Sequence, residues 1–279
     1  MEIHFCNSND KEYQRRLNAL LKPIFLDFQF WYDLDLCDEN YESYSIMQDD
    51  AIVSNVCIFK VKGVCNGAAF EALSLGAVAT RADCRGRGYA RVLIKHIITK
   101  HPDMPMYLYA NESVLDFYTR FDFARAYEKL PTAVYAIHNE NATNKLAYTD
   151  PKLREYVYHN KNLSERFDCV NTQSVNMFHL CEGAYADCLY EISECETLVI
   201  AQQNGGTLHI SSMFSRQDVS FATLAKALPF CNVSRLTFGF MPPWADLKFN
   251  MESFDADPLF VRGFSCDLGD FKIPELSFT

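Results

Sequence analysis

The residues best suited to chemistry in this chain are Arg85-Gly86-Arg87-Gly88-Tyr89-Ala90, flanked by two apolar stretches. The run before them, Leu75 to Ala79, has the length of a buried strand. After them Ala90, Leu93, Ile94, Ile97 and Ile98 follow i, i+3, i+4, i+7, i+8 spacing, which predicts a helix with one buried face. A strand, a glycine loop and a helix start leave unpaired backbone N–H groups beside the positive end of a helix dipole. Such a place takes an anion, and Arg85 and Arg87 add fixed positive charge to it. Two common phosphate loops are excluded by residue type. Nucleoside-triphosphate binding needs Gly-Lys-Ser/Thr, and no Lys follows Gly88. A dinucleotide fingerprint needs Gly or Ala three residues after Gly88, where Arg91 stands. What is left is Arg85-x-x-Gly88-x-Ala90, a pattern that a basic turn capping a helix would also satisfy.

Further on, Met106-Tyr107-Leu108-Tyr109-Ala110 reads as another strand. It is followed by Asn111 and then by Phe117-Tyr118-Thr119-Arg120-Phe121-Asp122-Phe123. In order and distance the two segments resemble the signature of the GNAT superfamily of N-acetyltransferases. That signature is a pyrophosphate loop, then a strand, an Asn, and a short helix ending in Phe-Tyr-x-x-x-Gly-Phe. The departure is Asp122 in place of Gly, and Asp tolerates the left-handed conformation that such a helix stop requires. The resemblance covers residues 1–140 and implies acetyl-coenzyme A as cofactor. It implies that N–H groups from Gly86 to Ala90, with Arg85, Arg87 and Tyr89 in the loop, grip the diphosphate. The backbone of Val78, Ala79 and Thr80 would meet the thioester carbonyl and pantetheine, and Asn111 would anchor the pantetheine side.

Tyr118 falls where the superfamily carries its general acid, and a phenol with an ordinary pKa near 10 suits that role. The general base is open. Glu71, in the strand before the loop, lies about where some relatives place a catalytic Glu, though one residue of slip turns a strand side chain to the other face. The tandem relatives discussed below suggest the terminal carboxylate of Thr279, because the tail GDFKIPELSFT is apolar enough to fold back on the first half. A third option is water assisted by Asp33 or Asp35. Aromatic residues crowd the segment before Tyr44, and Trp31 with Asp33 and Asp35 is the expected contact for an amine-bearing substrate.

Composition narrows the classes. A net charge of −10 excludes general nucleic-acid and anionic-membrane binding. Between Asp27 and Asp50 stand eight acidic residues and no Lys or Arg, a local field that would draw a cation. The chain shows no membrane span and no signal sequence, which predicts a soluble, cytoplasmic protein. Its eleven cysteines include no Cys-x-x-Cys pair, so neither a metal site nor a redox dithiol is suggested, and all are read as reduced thiols.

The elements that must position these residues follow an α+β order, a mostly antiparallel sheet with flanking helices. A helix over 10–30 is interrupted at Pro23. Strands follow over 46–49, 51–60 and 69–79, the last two joined at the Asn66-Gly67 turn. Segments 124–127 and 133–138 read as a closing hairpin. The polar stretch 139–149 is the expected linker between a domain at 1–140 and a second at 150–279. In the second, strands at 186–192, 197–202 and 207–214, a helix at 219–228 and a strand at 233–240 repeat the core order of the first, with no glycine loop after Phe214. This resembles the tandem arrangement of the enhanced intracellular survival-type acetyltransferases without their further C-terminal domain: tandem acetyltransferase-like domains, the second degenerate. The resemblance also leaves homo-oligomer formation open. Taken together, the expected activity is acetyl transfer to a primary amine of a small cationic molecule. The alternatives are acetylation of a protein amine and an acyl-coenzyme A sensor or scaffold without catalysis.

Overall fold

Helix α1 (Lys11–Leu21) begins where Asp10 accepts the N–H groups of Glu12 and Tyr13, and it buries Leu17, Leu20 and Leu21. The structure is a computed structural model that describes residues 2–6, 10–161, 163–254, 257–264 and 268–278. Before α1 lies strand β1 (Ile3–Cys6), and after it a short helix α2 (Gln29–Asp33). Three long strands follow: β2 (Tyr41–Gln48), β3 (Ala51–Cys65) and β4 (Ala68–Thr80). Tight turns join them, at Asp49-Asp50 and at Asn66-Gly67, with all four residues at positive φ. Then come α3 (Tyr89–Lys100), β5 (Met106–Tyr109), α4 (Leu115–Tyr118) and β6 (Ala124–Ala126).

The rest of the chain supplies β7 (Lys129–Ile137), α5 (Lys152–Tyr158), β8 (Phe167–Cys169), α6 (Gln173–Cys181) and β9 (Leu189–Ile192). It ends with β10 (Thr197–Asn204), β11 (Thr207–Ser215), α7 (Phe221–Ala227), β12 (Val233–Phe238), β13 (Asn250–Ser253) and β14 (Leu259–Arg262). These strands form two sheets. The first runs β1-β2-β3-β4-β5-β14-β6, with β8 paired to β3; the second runs β13-β7-β12-β11-β10-β9. All neighbours are antiparallel except β4/β5 in the first and β11/β12 in the second. The mixed α+β class and the two sheet bodies agree with the tandem arrangement expected from the sequence.

Connectivity differs from expectation in two ways. Segments 124–126 and 129–137 do not make a hairpin, because β6 closes the first sheet while β7 pairs with β12 and β13 in the second. In its place β14, from the far end of the chain, pairs with both β5 and β6. The four residues Leu259–Arg262 carry too little pattern to announce a strand, and their long-range partners decide the matter.

Helix α3 lays Leu93, Ile94 and Ile97 on Val53, Val56, Leu73 and Leu75 of the first sheet, and α1 covers its other face over Ile52, Cys57 and Ala79. In the second sheet α7 packs Phe221 and Leu224 on Leu208, Ile210 and Leu236. A third core is shared between the halves. There Trp31, Tyr32 and Leu36 meet Leu153 of α5, Phe178 and Leu180 of α6, and Leu198 and Ile200 of β10. Among the described residues no helix is long and apolar enough to cross a membrane, and the ten described cysteines are free thiols.

The tail docks as its apolar composition predicts. Lys272 Nζ lies 3.0 Å from Glu128 Oε1, with the two side chains 7% and 1% exposed. The Ile273 N–H donates to the same carboxylate at 2.8 Å, and the Tyr109 hydroxyl donates to it at 3.0 Å. Removing one partner of a buried pair leaves an uncompensated charge, so Lys272→Met should cost about 3–5 kcal/mol. The double variant Lys272→Met/Glu128→Leu should recover a large part of that loss in denaturant midpoint. Equal losses in the single and double variants would refute the coupling.

Candidate active site

Strand β4 pairs with β5 at only two positions, Leu73 with Met106 and Ser74 with Tyr107, and then the two strands part. Beyond Ser74 the β5-facing edge of β4 has no strand beside it. The same stretch carries a bulge: Asn55 pairs with Ala79 and Cys57 with Gly76, so Val56 alone opposes Ala77 and Val78. Ala77 takes φ +46°, and the Asn55 side-chain amide donates to its carbonyl at 3.2 Å, which holds the bulge. A bulge re-aims the backbone, here in the strand that leads from the opening to the glycine loop.

That loop has the form the sequence predicts. Gly86 and Gly88 sit at φ +77° and +80°, and a Cβ at either would meet no atom within 4 Å. The glycines therefore serve conformation, and the space over them is open. Gly88 is the N-cap of α3 and supplies no side chain to its first N–H groups. Arg85 and Arg87 are exposed, each tied back only to a carbonyl, Thr80 and Asp83. Tyr89 is buried, and its hydroxyl accepts a bond from Gln48 Nε2 at 2.7 Å. A diphosphate fits this set: bare N–H groups, a helix dipole, two free guanidinium heads and room above.

Between β4, β5 and the second half of the chain lies a cavity of about 430 Å³. The bulge residues Gly76, Ala77 and Val78 line it, with Tyr109, Asn111 and Tyr118. Phe25, Phe28, Trp31 and Tyr32 reach it from the α1–α2 region. Phe178, His179 and Glu182 reach it from α6 and its end, and Phe278 from the tail. The Phe278 ring lies against Tyr109 at 4.8 Å between centroids. The Tyr118 side chain is buried, and its hydroxyl has no hydrogen-bond partner among the described residues; burial alone pushes it up to about 12. It therefore stays protonated throughout the pH range in which an enzyme works. Asn111 caps the turn after β5, its Oδ1 accepting from the N–H and hydroxyl of Ser113.

Several expected site residues are elsewhere. Glu71 is exposed at the far part of β4, 3.8 Å from Lys62, and does not reach the cavity. Trp31 points into the cavity from α2, and Asp33, two residues on and so on another helix face, points to solvent and holds Gln29 at 2.9 Å. Asp35 lies past the helix end at φ +51°, also exposed. Half of the acidic run is engaged by other parts of the chain, Asp50 among it through Arg16. Glu42 is bound by Lys60 and Lys100, Asp27 by Lys22, and Asp38 accepts from Ser174. Thr279 lies outside the described residues. The sequence reading missed His179 and Glu182, whose helix was visible in the spacing of Val175, Phe178 and Cys181.

A splayed parallel pair, a diphosphate-shaped loop at a helix start and a protonated phenol beside the opening are the parts of an acyl-transferring enzyme. Residues 17–126 match the family model described as Acetyltransferase (GNAT) domain. Residues 17–126 thus carry a GNAT acetyltransferase domain, and acetyl-coenzyme A is the acetyl donor of such domains. Among solved structures the chain is similar to Eis1 from Mycobacterium abscessus (14% identity, TM-score 0.57, 94% of this chain and 73% of that one). It is similar too to a probable N-acyltransferase from Enterococcus faecalis V583 (16%, 0.56, 94% and 72%). A GCN5-related N-acetyltransferase from Anabaena variabilis matches at 13%, 0.54, 94% and 72%. At these identities the likeness shows the fold, and it extends over both halves of the chain. No curated protein matches by sequence.

The loop can be tested by ligand-linked stability. A donor at a hundred times its dissociation constant should stabilise the protein by about 2.7 kcal/mol. In Gly88→Glu, which puts a carboxylate and a strained φ into the loop, the thermal shift with acetyl-coenzyme A should be largely lost. A shift equal to that of the unaltered protein would mean the diphosphate is held elsewhere.

Proposed function

We propose that the protein acetylates the primary amine of a small molecule whose body is apolar or aromatic. The supporting observation is the cavity: its volume is within the range of about 300–1,000 Å³ typical of small-molecule sites, and aromatic and aliphatic side chains dominate its lining. Aromatic faces such as those of Trp31 and Phe178 favour a cationic nitrogen as well as an apolar body. A polycationic substrate would call for several carboxylates, and Asp33 and Asp35 face solvent instead. A lysine on a protein surface would call for a shallow groove, whereas this cavity is a recess lined by elements from both halves.

Acetyl-coenzyme A supplies an acetyl group activated as a thioester. In this proposal the N–H groups from Gly86 to Ala90 hold the diphosphate, with Arg85 and Arg87 beside them. The free edge of β4 from Val78 to Thr80, turned by the bulge at Ala77, offers backbone groups along the opening, and Asn111 lines its other side. Tyr118 is the proton donor. The second half, 150–279, is a degenerate unit that binds no donor and completes the acceptor cavity through α6 and the tail.

Tyr118→Phe should lower kcat by about 10²-fold or more while leaving the acetyl-coenzyme A thermal shift intact. In an acceptor screen, monoamines with an aryl or alkyl body, such as 2-phenylethylamine, should exceed spermidine at least about tenfold in kcat/KM, the worth of one well-buried apolar group. A preference for spermidine, or for a lysine peptide, would sink the apolar-acceptor proposal.

A further inference from the structure

Two ionisable side chains of the second half enter the cavity, and neither has a task in the transfer described above. His179 and Glu182 stand three residues apart on one face, 16% and 19% exposed. His179 Nε2 lies 2.9 Å from the Phe278 carbonyl oxygen. A carbonyl only accepts, so Nε2 carries the proton, and Nδ1 of the neutral ring presents a lone pair. Nδ1 lies 3.7 Å from Glu182 Oε1. That is too far for a bond between them, but a single nitrogen about 2.9 Å from each atom fits across the gap. Among the described residues the other titratable groups lining the cavity are the phenols of Tyr32, Tyr41, Tyr109 and Tyr118 and the Cys57 thiol, with no Lys or Arg.

We propose that His179 and Glu182 together form the acceptor-amine site. The arriving ammonium donates one N–H to the Glu182 carboxylate and a second to His179 Nδ1, and the imidazole removes that second proton. This rests on the amine-acceptor proposal above and names the residues that would carry it. Deprotonation is needed because an alkylamine, like a Lys side chain with a pKa near 10.4, is almost wholly protonated at neutral pH. In this step the ammonium N–H bond breaks and an Nδ1–H bond forms. The positive charge moves onto a ring already facing a carboxylate, while Phe278 continues to accept from Nε2. Overall the amine gives up two protons. One leaves to solvent through His179. The other is lost as the new C–N bond replaces the C–S bond, and it balances the proton that Tyr118 passes to the sulfur. The carboxylate sets the preference for a single cationic nitrogen, and the aromatic walls set the preference for what it is attached to.

The variants His179→Gln and Glu182→Gln test this, with 2-phenylethylamine as probe. Gln at 179 keeps a side-chain N–H for the Phe278 carbonyl but has no basic nitrogen. It should lower kcat by about 10²-fold or more with the melting temperature and the acetyl-coenzyme A shift preserved. Glu182→Gln should raise KM for the amine at least about tenfold with KM for acetyl-coenzyme A unchanged. A direct readout needs no donor: in 15N-histidine NMR spectra the His179 ring signals should move on titration with 2-phenylethylamine, and much less in Glu182→Gln. Retention of kcat within about threefold in His179→Gln, with amine turnover by the unaltered protein, would overturn this inference and leave the amine-acceptor proposal standing. Ring signals unmoved by saturating amine would overturn it whatever the turnover. Absence of turnover with every amine, alongside a His179 signal that still moves, would fault the acetyl-transfer proposal and keep the amine site.

Discussion

The parting of β4 from β5 after two residue pairs is the constraint on which the rest of this structure depends. A parallel pair that ran its full length would satisfy its backbone groups and leave no opening. Because pairing stops at Ser74 and Tyr107, the N–H and C=O groups on the free edge of β4 must find partners other than a strand. The bulge at Ala77 turns that edge further, held by the Asn55 amide. On one side of the opening the chain continues into the glycine loop, and on the other it reaches Asn111 and Tyr118. The glycine loop, the buried Tyr118 phenol and the cavity are thus arranged around one interrupted ladder.

The second sheet repeats the device and then fills it. Strands β11 and β12 pair in parallel from Thr207 with Arg235 to Ile210 with Phe238. At the end of that register the tail enters. The Glu275 N–H donates to the Gly239 carbonyl at 2.7 Å. Its carboxylate meets His209 Nε2 at 2.9 Å and Tyr185 at 3.3 Å. Gly239 is required there, since a Cβ would lie 2.1 Å from Glu275 Oε2 and 2.5 Å from the Ser211 carbonyl. Glu275 thus occupies the opening of the second sheet, and the loop after β11 lacks glycine. The contacts of Glu275 fill, in the second sheet, the place that stays open in the first. They also fix the tail whose Phe278 lines the first cavity.

How much of this was legible in the sequence follows the range of the interactions involved. The loop at 85–90 and the Asn111–Tyr118 segment are local: glycines at positive φ, a helix start and a short capped turn are written in adjacent residues. Strands β3, β4, β10 and β11 were visible as long apolar runs with turn residues between them. What stayed hidden depends on distant partners. Strand β14 exists because β5 and β6 flank it, and β7 leaves its neighbour in sequence because β12 and β13 are its partners in space. The partners of the acidic run were hidden for the same reason: Lys60, Lys100 and Ser174, which engage its members, come from other parts of the chain.

The division between local and distant also separates the two substrates. Every residue proposed to meet the donor comes from one stretch of chain, Gly76 to Tyr118. The cavity is assembled from residues between Leu21 and Phe278, with His179 of one half 2.9 Å from the backbone carbonyl of Phe278 in the tail. A change in α6, in α2 or in the anchoring pair Lys272–Glu128 would reshape the acceptor side without touching the glycine loop. The proposed amine site is in this way a matter of how the two halves pack, while the proposed donor site lies in the first half. The buried core shared by Trp31, Tyr32, Leu153 and Phe178 is then more than support, because it joins the cavity wall that carries Trp31 to the wall on α6 that carries Phe178 and His179.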